Sequence, residues 1–169
     1  FYEAYADYTG MMDRVEALLI AAATAVRDTL QAAGLSSDSP AFDPAVLQGP
    51  FPRVAWLPSL SRALHVPDVT KLTDAELRAA AEKVGVHNTG ALSRPKLMDE
   101  LFQHYVESRI DRPTFVVDYP KELSPLAKPK RGNPELTERF ELFARGKEMA
   151  NAFSELNDPI DQRQRFEAQ

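Results

Sequence analysis

The chain has 169 residues, with 25 acidic and 20 basic side chains, a net charge of −5 and no cysteine. This length accommodates one domain with a good core, or a domain interrupted by a smaller one. The mixed charge argues against a nucleic-acid-binding surface over the whole chain, and the lack of cysteine excludes disulfide bonds and thiolate metal sites. No apolar run approaches the roughly 20 residues that span a bilayer, so we expect a soluble protein with no membrane partner. The lack of cysteine is compatible with the cytoplasmic location that we expect.

The N-terminal part is predicted to form one long amphipathic helix. From Thr9 to Ala33 the apolar residues recur at steps of three and four, and Gly34 stands where a helix usually stops. Residues 34 to 70 are rich in turn residues and prolines, which prevent a long helix. This composition indicates an irregular connection with short helical turns.

Helical patterning resumes after residue 72. Thr73 and Glu76 have the spacing of a capping box, which marks a helix start. This helix is predicted to end near Gly85, and another is predicted to run from about 93 to 108. These pieces indicate a small helical bundle.

The C-terminal part switches to strand patterns. Residues 114–119 are rich in β-branched and aromatic side chains, and segments 137–143 and 147–154 alternate on either side of a turn at 145–146. The two alternating segments predict an antiparallel hairpin. The Asp-Pro pair at 158–159 is typical of a helix start. The chain therefore has the pattern of an α+β protein built on an antiparallel sheet.

Two carboxylates flank the predicted hairpin turn. If the turn is centred between Ala144 and Arg145, Glu141 and Glu148 lie directly opposite each other. Like charges in that position destabilise a strand pair, unless a divalent cation such as Mg²⁺ lies between them. Spacing alone leaves a second interpretation open, in which both side chains are solvated on the outer face of the sheet.

An amide, an aromatic ring and a carboxylate occupy alternate positions of the last strand. Asn151, Phe153 and Glu155 share one face of an extended strand, because side chains alternate with a period of two. A carboxylate beside an apolar wall is suited to a long side chain that ends in a cation, as in lysine. The alternative is that Glu155 is an ordinary surface acid. The tyrosines at positions 2, 5 and 8 are, by composition, typical of packing residues.

Several segments of the chain together resemble the catalytic domain of class II lysyl-tRNA synthetases. They are Phe-Tyr-Glu-Ala-Tyr-Ala-Asp-Tyr at 1–8, Asp-Tyr-Pro at 118–120, Ser-Pro-Leu-Ala at 124–127, Leu-Thr-Glu-Arg-Phe-Glu at 136–141 and Met-Ala-Asn-Ala-Phe-Ser-Glu-Leu-Asn-Asp-Pro-Ile at 149–160. The resemblance implies a class II fold with a helical insertion over residues 35–110, flanked by catalytic-domain segments at 1–34 and 111–169. We expect the insertion to pack beside the sheet without contributing a strand to it.

The resemblance also implies roles for six residues. Tyr2 matches a tyrosine whose hydroxyl approaches the side-chain amine of lysine, and Glu155 matches the acid that pairs with that amine. Asn151 matches a substrate-contacting asparagine and Phe153 an aromatic wall. Two further acids, Glu141 and Glu148, match those that hold the Mg²⁺ ions bridging the phosphates of ATP.

The implied activity is that of a lysine–tRNA ligase, which joins lysine and ATP into lysyl-adenylate and transfers the lysyl group to tRNA. The implied parent is a homodimer. The chain begins at Phe1 and lacks the arginine-bearing motifs of the family, so we expect a piece of a longer polypeptide that is inactive alone. Two other interpretations stay open: a non-catalytic interaction module, and a paralogue that attaches lysine to a protein.

Alternation and resemblance conflict at one position of the last strand. Strict alternation puts Glu148 on the face opposite Asn151, whereas the resemblance places both in one site. A β-bulge between residues 148 and 151 resolves the conflict, because one extra residue changes the facing of everything after it. We therefore predict an irregular ladder there.

Overall fold

The computed structural model describes residues 1–37 and 48–167. Residues 38–47, which are part of the predicted irregular connection, lie outside the described residues. The helices are α1 (Tyr8–Ala32), α2 (Trp56–Ala63), α3 (Asp74–Lys83), α4 (Arg94–Tyr105) and α5 (Pro159–Glu167). The strands are β1 (Arg53–Ala55), β2 (Thr114–Val117), β3 (Pro129–Lys130), β4 (Asn133–Thr137), β5 (Arg139–Ala144) and β6 (Lys147–Phe153). Within the described ranges, no helix is long and apolar enough to cross a membrane.

Four strands form the main sheet in the order β1-β2-β5-β6, and β3 pairs with β4 in a separate ribbon. The pairs β2–β5 and β5–β6 are antiparallel, as predicted, whereas β1 runs parallel to β2. The expectation that residues 35–110 contribute no strand is therefore wrong. With three residues after Pro52, β1 is too short to show a period, and its pairing is extended by the Phe115 amide, which donates to the Pro52 carbonyl at 2.8 Å.

The two faces of the sheet carry separate cores. On one face α1 packs Met12 and Val15 against Phe115, Phe140 and Leu142. Helices α2, α3 and α4, here called the helical part, pack on the other face of the sheet. Val116 and Phe143 are among the sheet side chains that contact them. The helical part is anchored by a fully buried tryptophan, Trp56, whose ring stacks on Phe102 with 4.6 Å between centroids.

Local capping signals explain where the helices begin. The Asp7 carboxylate accepts from the amides of Thr9 and Gly10 and starts α1 one residue before the predicted position. The predicted capping box is present at α3, where the Thr73 hydroxyl and the Glu76 carboxylate each bond the other's backbone amide. The predicted cap of α5 is present too, because Asp158 accepts from the amides of residues 160 and 161.

The predicted single strand at 137–143 is two strands with Glu138 between them. Thr137 is the last residue of β4, and its amide donates to the Tyr119 carbonyl. Glu138 donates to the Lys128 carbonyl, and its own carbonyl accepts from Ser154. The chain changes pairing partners at Glu138, so the ladder is broken there.

The hairpin between β5 and β6 contains the predicted bulge. Arg145 and Gly146 form the turn, with φ angles of 53° and 64°, as the two-residue hairpin turn of the mirror-image type requires. Leu142 pairs with Ala150, but the next residue, Phe143, pairs with Glu148, so one residue of β6 is extra. The condition for opposed carboxylates is not met, because the turn is centred one residue later than required; Glu141 instead opposes Asn151.

Candidate functional site

A cavity of about 560 Å³ lies where the N-terminal segment crosses the end of β6. Its lining includes all four residues of the predicted pocket: Tyr2, Asn151, Phe153 and Glu155. Phe153 is half-buried and Asn151 and Glu155 are exposed, while Tyr2 keeps 89% of its surface exposed. The sequence-predicted residues therefore border one open concave surface.

The packing interpretation of the three tyrosines holds for Tyr8 alone. Tyr8 is the first residue of α1, and its ring packs against the core between α1 and the sheet. Its amide donates to Ser154 Oγ at 3.1 Å. Tyr5 is fully exposed with φ at 59°, and Tyr2 lies at the cavity. The contact between Tyr8 and Ser154 ties the N-terminal segment to the strand end that carries Phe153.

A second tie in the wall of the cavity is made by the side chain of Arg131, which joins Glu138 to Asp7. Arg131 Nε donates to Glu138 at 2.7 Å, and its other nitrogen donates to Asp7 at 2.6 Å. Hydrogen bonds from the Thr9 hydroxyl and from Arg131 lower the pKa of Asp7 to about 2. Because Glu138 is only 2% exposed, this arginine compensates a carboxylate that is almost completely removed from water.

Glu141 is less exposed than Arg139 and Asn151 on the same face, with 13% of its side chain exposed, and it has three side-chain partners. The Tyr119 hydroxyl donates to it at 2.7 Å, Asn151 Nδ2 donates at 3.2 Å, and Arg139 forms an ion pair with it. Burial raises the pKa of Glu141, the charge of Glu148 acts in the same direction, and Arg139 and Tyr119 oppose both. Burial followed by the charge of Glu141 raises the pKa of Tyr119.

The bulge places Glu148 on the same face as Glu141. Glu148 pairs with Phe143, and Phe143 and Glu141 are two residues apart on β5. Burial and the charges of Glu141 and Glu148 also raise the pKa of Glu107, which belongs to the turn after α4. The region is thus rich in negative charge.

Glu141 and Glu148 fit a hard divalent cation that needs few protein ligands, such as Mg²⁺. Among the described residues, no three His, Asp or Glu side chains converge into a complete cage for a metal ion. Mg²⁺ commonly takes one or two carboxylates and completes its shell with waters and substrate phosphates. Glu141 and Glu148 are two carboxylates on one face whose negative charges repel each other. They suit a cation that is held by two carboxylates and completed by waters and phosphates, and they do not suit a cation that is enclosed by protein ligands alone.

Two arginines and a tyrosine at this site were missed by sequence reasoning: Arg131, Arg139 and Tyr119. Arg139 had a readable signal, since it stands two residues before Glu141 and so shares its face. Arg131 and Tyr119 had none, because their partners are 7 and 22 residues away along the chain.

The basic loop at 121–131 is engaged within the protein at three positions. Lys121 pairs with Asp161 at 3.2 Å and Lys130 with Asp118 at 2.6 Å, while Arg131 forms the tie described above.

Comparison with known proteins identifies the family of this fold. A sequence model of the class II tRNA synthetases of the D, K and N group matches residues 1–169. The chain belongs to this family.

Among its curated relatives are lysine–tRNA ligases. The ligase from Porphyromonas gingivalis is 44% identical over 168 residues, which are 99% of this chain and 28% of the relative. The ligase from Moorella thermoacetica is 44% identical over 169 residues, 99% of this chain and 33% of the relative. The ligase from Carboxydothermus hydrogenoformans is 42% identical over 165 residues, 98% of this chain and 33% of the relative. The chain thus spans about a third or less of the length of these relatives.

Proposed function

We propose that the chain is a segment of a lysine–tRNA ligase and supplies its amino-acid pocket. The observation that carries this proposal is the shared cavity of Tyr2, Asn151, Phe153 and Glu155. Its support from the comparisons is that the relatives named above are lysine–tRNA ligases.

In the proposed pocket each side chain has a separate task. Glu155 pairs with the side-chain ammonium of lysine through a charge-assisted hydrogen bond. Phe153 covers the aliphatic stem, which buries apolar surface. The Tyr2 hydroxyl and the Asn151 amide supply the remaining polar contacts and fix the orientation of the ligand.

The proposed cation site lies beside this pocket on the same face of the sheet. Glu141 and Glu148 would hold Mg²⁺, and Tyr119 and Arg139 hold the Glu141 carboxylate in place. When bound, Mg²⁺ would supply positive charge that offsets the negative charge of the ATP phosphates. The protein's own contribution to adenylate formation is then positioning and electrostatics, without a covalent nucleophile.

The proposal extends to the setting of the whole ligase. Its substrates would be lysine, ATP and tRNA, and its parent would be a cytoplasmic homodimer. The family's charge-stabilising arginines would come from segments other than these 169 residues, so the isolated chain is expected to be inactive.

Pyrophosphate exchange dependent on lysine and ATP tests this function. Sequencing the gene on both sides of the segment supplies the full-length protein, which is assayed beside the 169-residue chain. We expect exchange with lysine and none with aspartate or asparagine for the full-length protein, and none at all for the chain alone. A full-length protein that exchanges with aspartate or asparagine, or that fails with lysine, contradicts the proposal.

A further inference from the structure

We propose that Arg139 is a positioning residue of the amino-acid pocket, which acts by fixing the orientation of the Asn151 side chain. This inference rests on the proposed function, since Asn151 is a lysine contact only if the pocket binds lysine. It adds a residue outside the pocket itself, because Arg139 is absent from the cavity lining.

The Asn151 amide is held by a hydrogen bond at each end. Arg139 Nε donates to Asn151 Oδ1 at 3.2 Å, and Asn151 Nδ2 donates to Glu141 Oε1 at 3.2 Å. The oxygen faces a donor and the nitrogen faces an acceptor. A rotation of the amide by 180° would place like groups together at both ends. The pair of Arg139 and Glu141 therefore permits one orientation of this amide.

Arg139 is itself held in place by several contacts. Its third nitrogen donates to the Leu123 carbonyl at 2.8 Å and to Ser124 Oγ at 2.9 Å. The guanidinium also lies over the Tyr119 ring, with 4.6 Å to the centroid. Only 17% of its side chain is exposed. A side chain with partners on every nitrogen is a rigid reference for its neighbour.

The register of the strands brings the same residues together. Arg139 pairs with Phe153 and Glu141 pairs with Asn151, at alternate positions of the β5–β6 ladder. The four side chains share one face, because paired residues of neighbouring strands point to the same side. Arg139 thus supports Asn151 from the neighbouring strand, where it lies beside Phe153.

Arginine is required here for its shape as well as its charge. A guanidinium presents five N–H donors in a planar fork, whereas an ammonium is a compact point charge. A lysine at position 139 could pair with Glu141, but it could not also reach Asn151 and the Leu123 carbonyl. The Arg139→Lys variant therefore separates charge from positioning.

The test is the dissociation constant for L-lysine, measured calorimetrically on the full-length protein in EDTA, so that cation binding plays no part. We expect Asn151→Ala to raise the constant roughly tenfold, as the loss of one oriented hydrogen bond to a charged ligand does. Arg139→Gln and Arg139→Lys should raise it by a similar factor. The double variants Arg139→Gln/Asn151→Ala and Arg139→Lys/Asn151→Ala should be no weaker than Asn151→Ala alone.

The matched control is Arg94→Gln. Arg94 also bonds a carboxylate and a backbone carbonyl, those of Asp74 and Thr70, but it lies in the helical part. The Arg94→Gln variant should bind lysine with a dissociation constant within twofold of the wild-type value. Circular dichroism checks folding, and Arg139→Lys carries the test if Arg139→Gln does not fold.

The outcomes separate this inference from the proposed function. A wild-type protein that does not bind lysine overturns the proposed function and, with it, this inference. If the wild type binds lysine, two results overturn the role of Arg139 alone: wild-type binding in Arg139→Lys, or additive losses in the double variants. Additivity would indicate a general structural effect, because independent sites add and coupled sites do not.

Discussion

Asn151 Nδ2 donates a hydrogen bond to the carboxylate of Glu141, its direct partner across the β5–β6 ladder, at 3.2 Å. One of these residues belongs to the proposed lysine pocket and the other to the proposed cation site. The two sites therefore share a polar network without a gap between them. In proteins such networks are worth more than isolated pairs, because each member fixes the next.

Removal of the Arg131 side chain should destabilise the fold. Arg131→Met leaves Glu138, 2% exposed, without its ion-pair partner. We expect the free energy of unfolding to fall clearly, because a carboxylate with almost no access to water loses its ion-pair partner. Urea denaturation monitored by circular dichroism measures the change.

The control for this prediction is Arg163→Met. The pair of Arg163 and Glu167 has a separation of 4.0 Å, and both side chains are well exposed. Its loss should change the free energy of unfolding by less than about 0.5 kcal/mol. Equal effects of the two variants would mean that the tie to Glu138 has no special role.

The two helix starts in the helical part should respond differently to alanine. At α3 the Thr73 side chain accepts from the Glu76 amide, so Thr73→Ala should lower the free energy of unfolding by about 1 kcal/mol. At α4 the side chain of Ser93 makes no capping hydrogen bond. Ser93→Ala should therefore cost clearly less in the same denaturation assay, and a reversed order would contradict the capping account.

Asp161 should contribute to stability only above strongly acidic pH. A hydrogen bond from Arg165, followed by one from Lys121, lowers the pKa of Asp161 to about 2, from a usual 3.8. The folded state therefore favours the ionised form, and the stabilisation is complete above about pH 4 and is lost as the pH falls towards 2. Asp161→Asn should unfold more easily than wild type at pH 6, and the two should converge near pH 2. A constant difference across this range would contradict the assignment.

Much of the fold was readable because its signals are local. The capping box at Thr73 and the Asp-Pro helix start at 158–159 each depend on residues within three positions of one another. The bulge in β6 was also predictable, though for another reason. Alternation and resemblance disagreed about Glu148, and one extra residue was the simplest way to satisfy both.

The missed features depend on contacts that are distant along the chain. Strand β1 is three residues long, and it is a strand only because β2 pairs with it. The break at Glu138 arises from partners at Lys128 and Ser154. The sharing of Glu141 between Tyr119, Arg139 and Asn151 likewise required the assembled sheet, because no single segment contains all its members.

The central claim is that the cavity beside β6 recognises lysine, and nuclear magnetic resonance tests it directly. The ¹⁵N-labelled 169-residue chain is titrated with L-lysine and, separately, with L-norleucine, which has the same aliphatic stem without the ammonium. We expect weak, saturable shifts at the amides of Tyr2, Asn151, Phe153 and Glu155 with lysine only. Glu155→Gln should abolish them, and Glu135→Gln, an exposed acid on β4, should not. Equal responses to the two amino acids, or lysine shifts that survive in Glu155→Gln, would contradict the account.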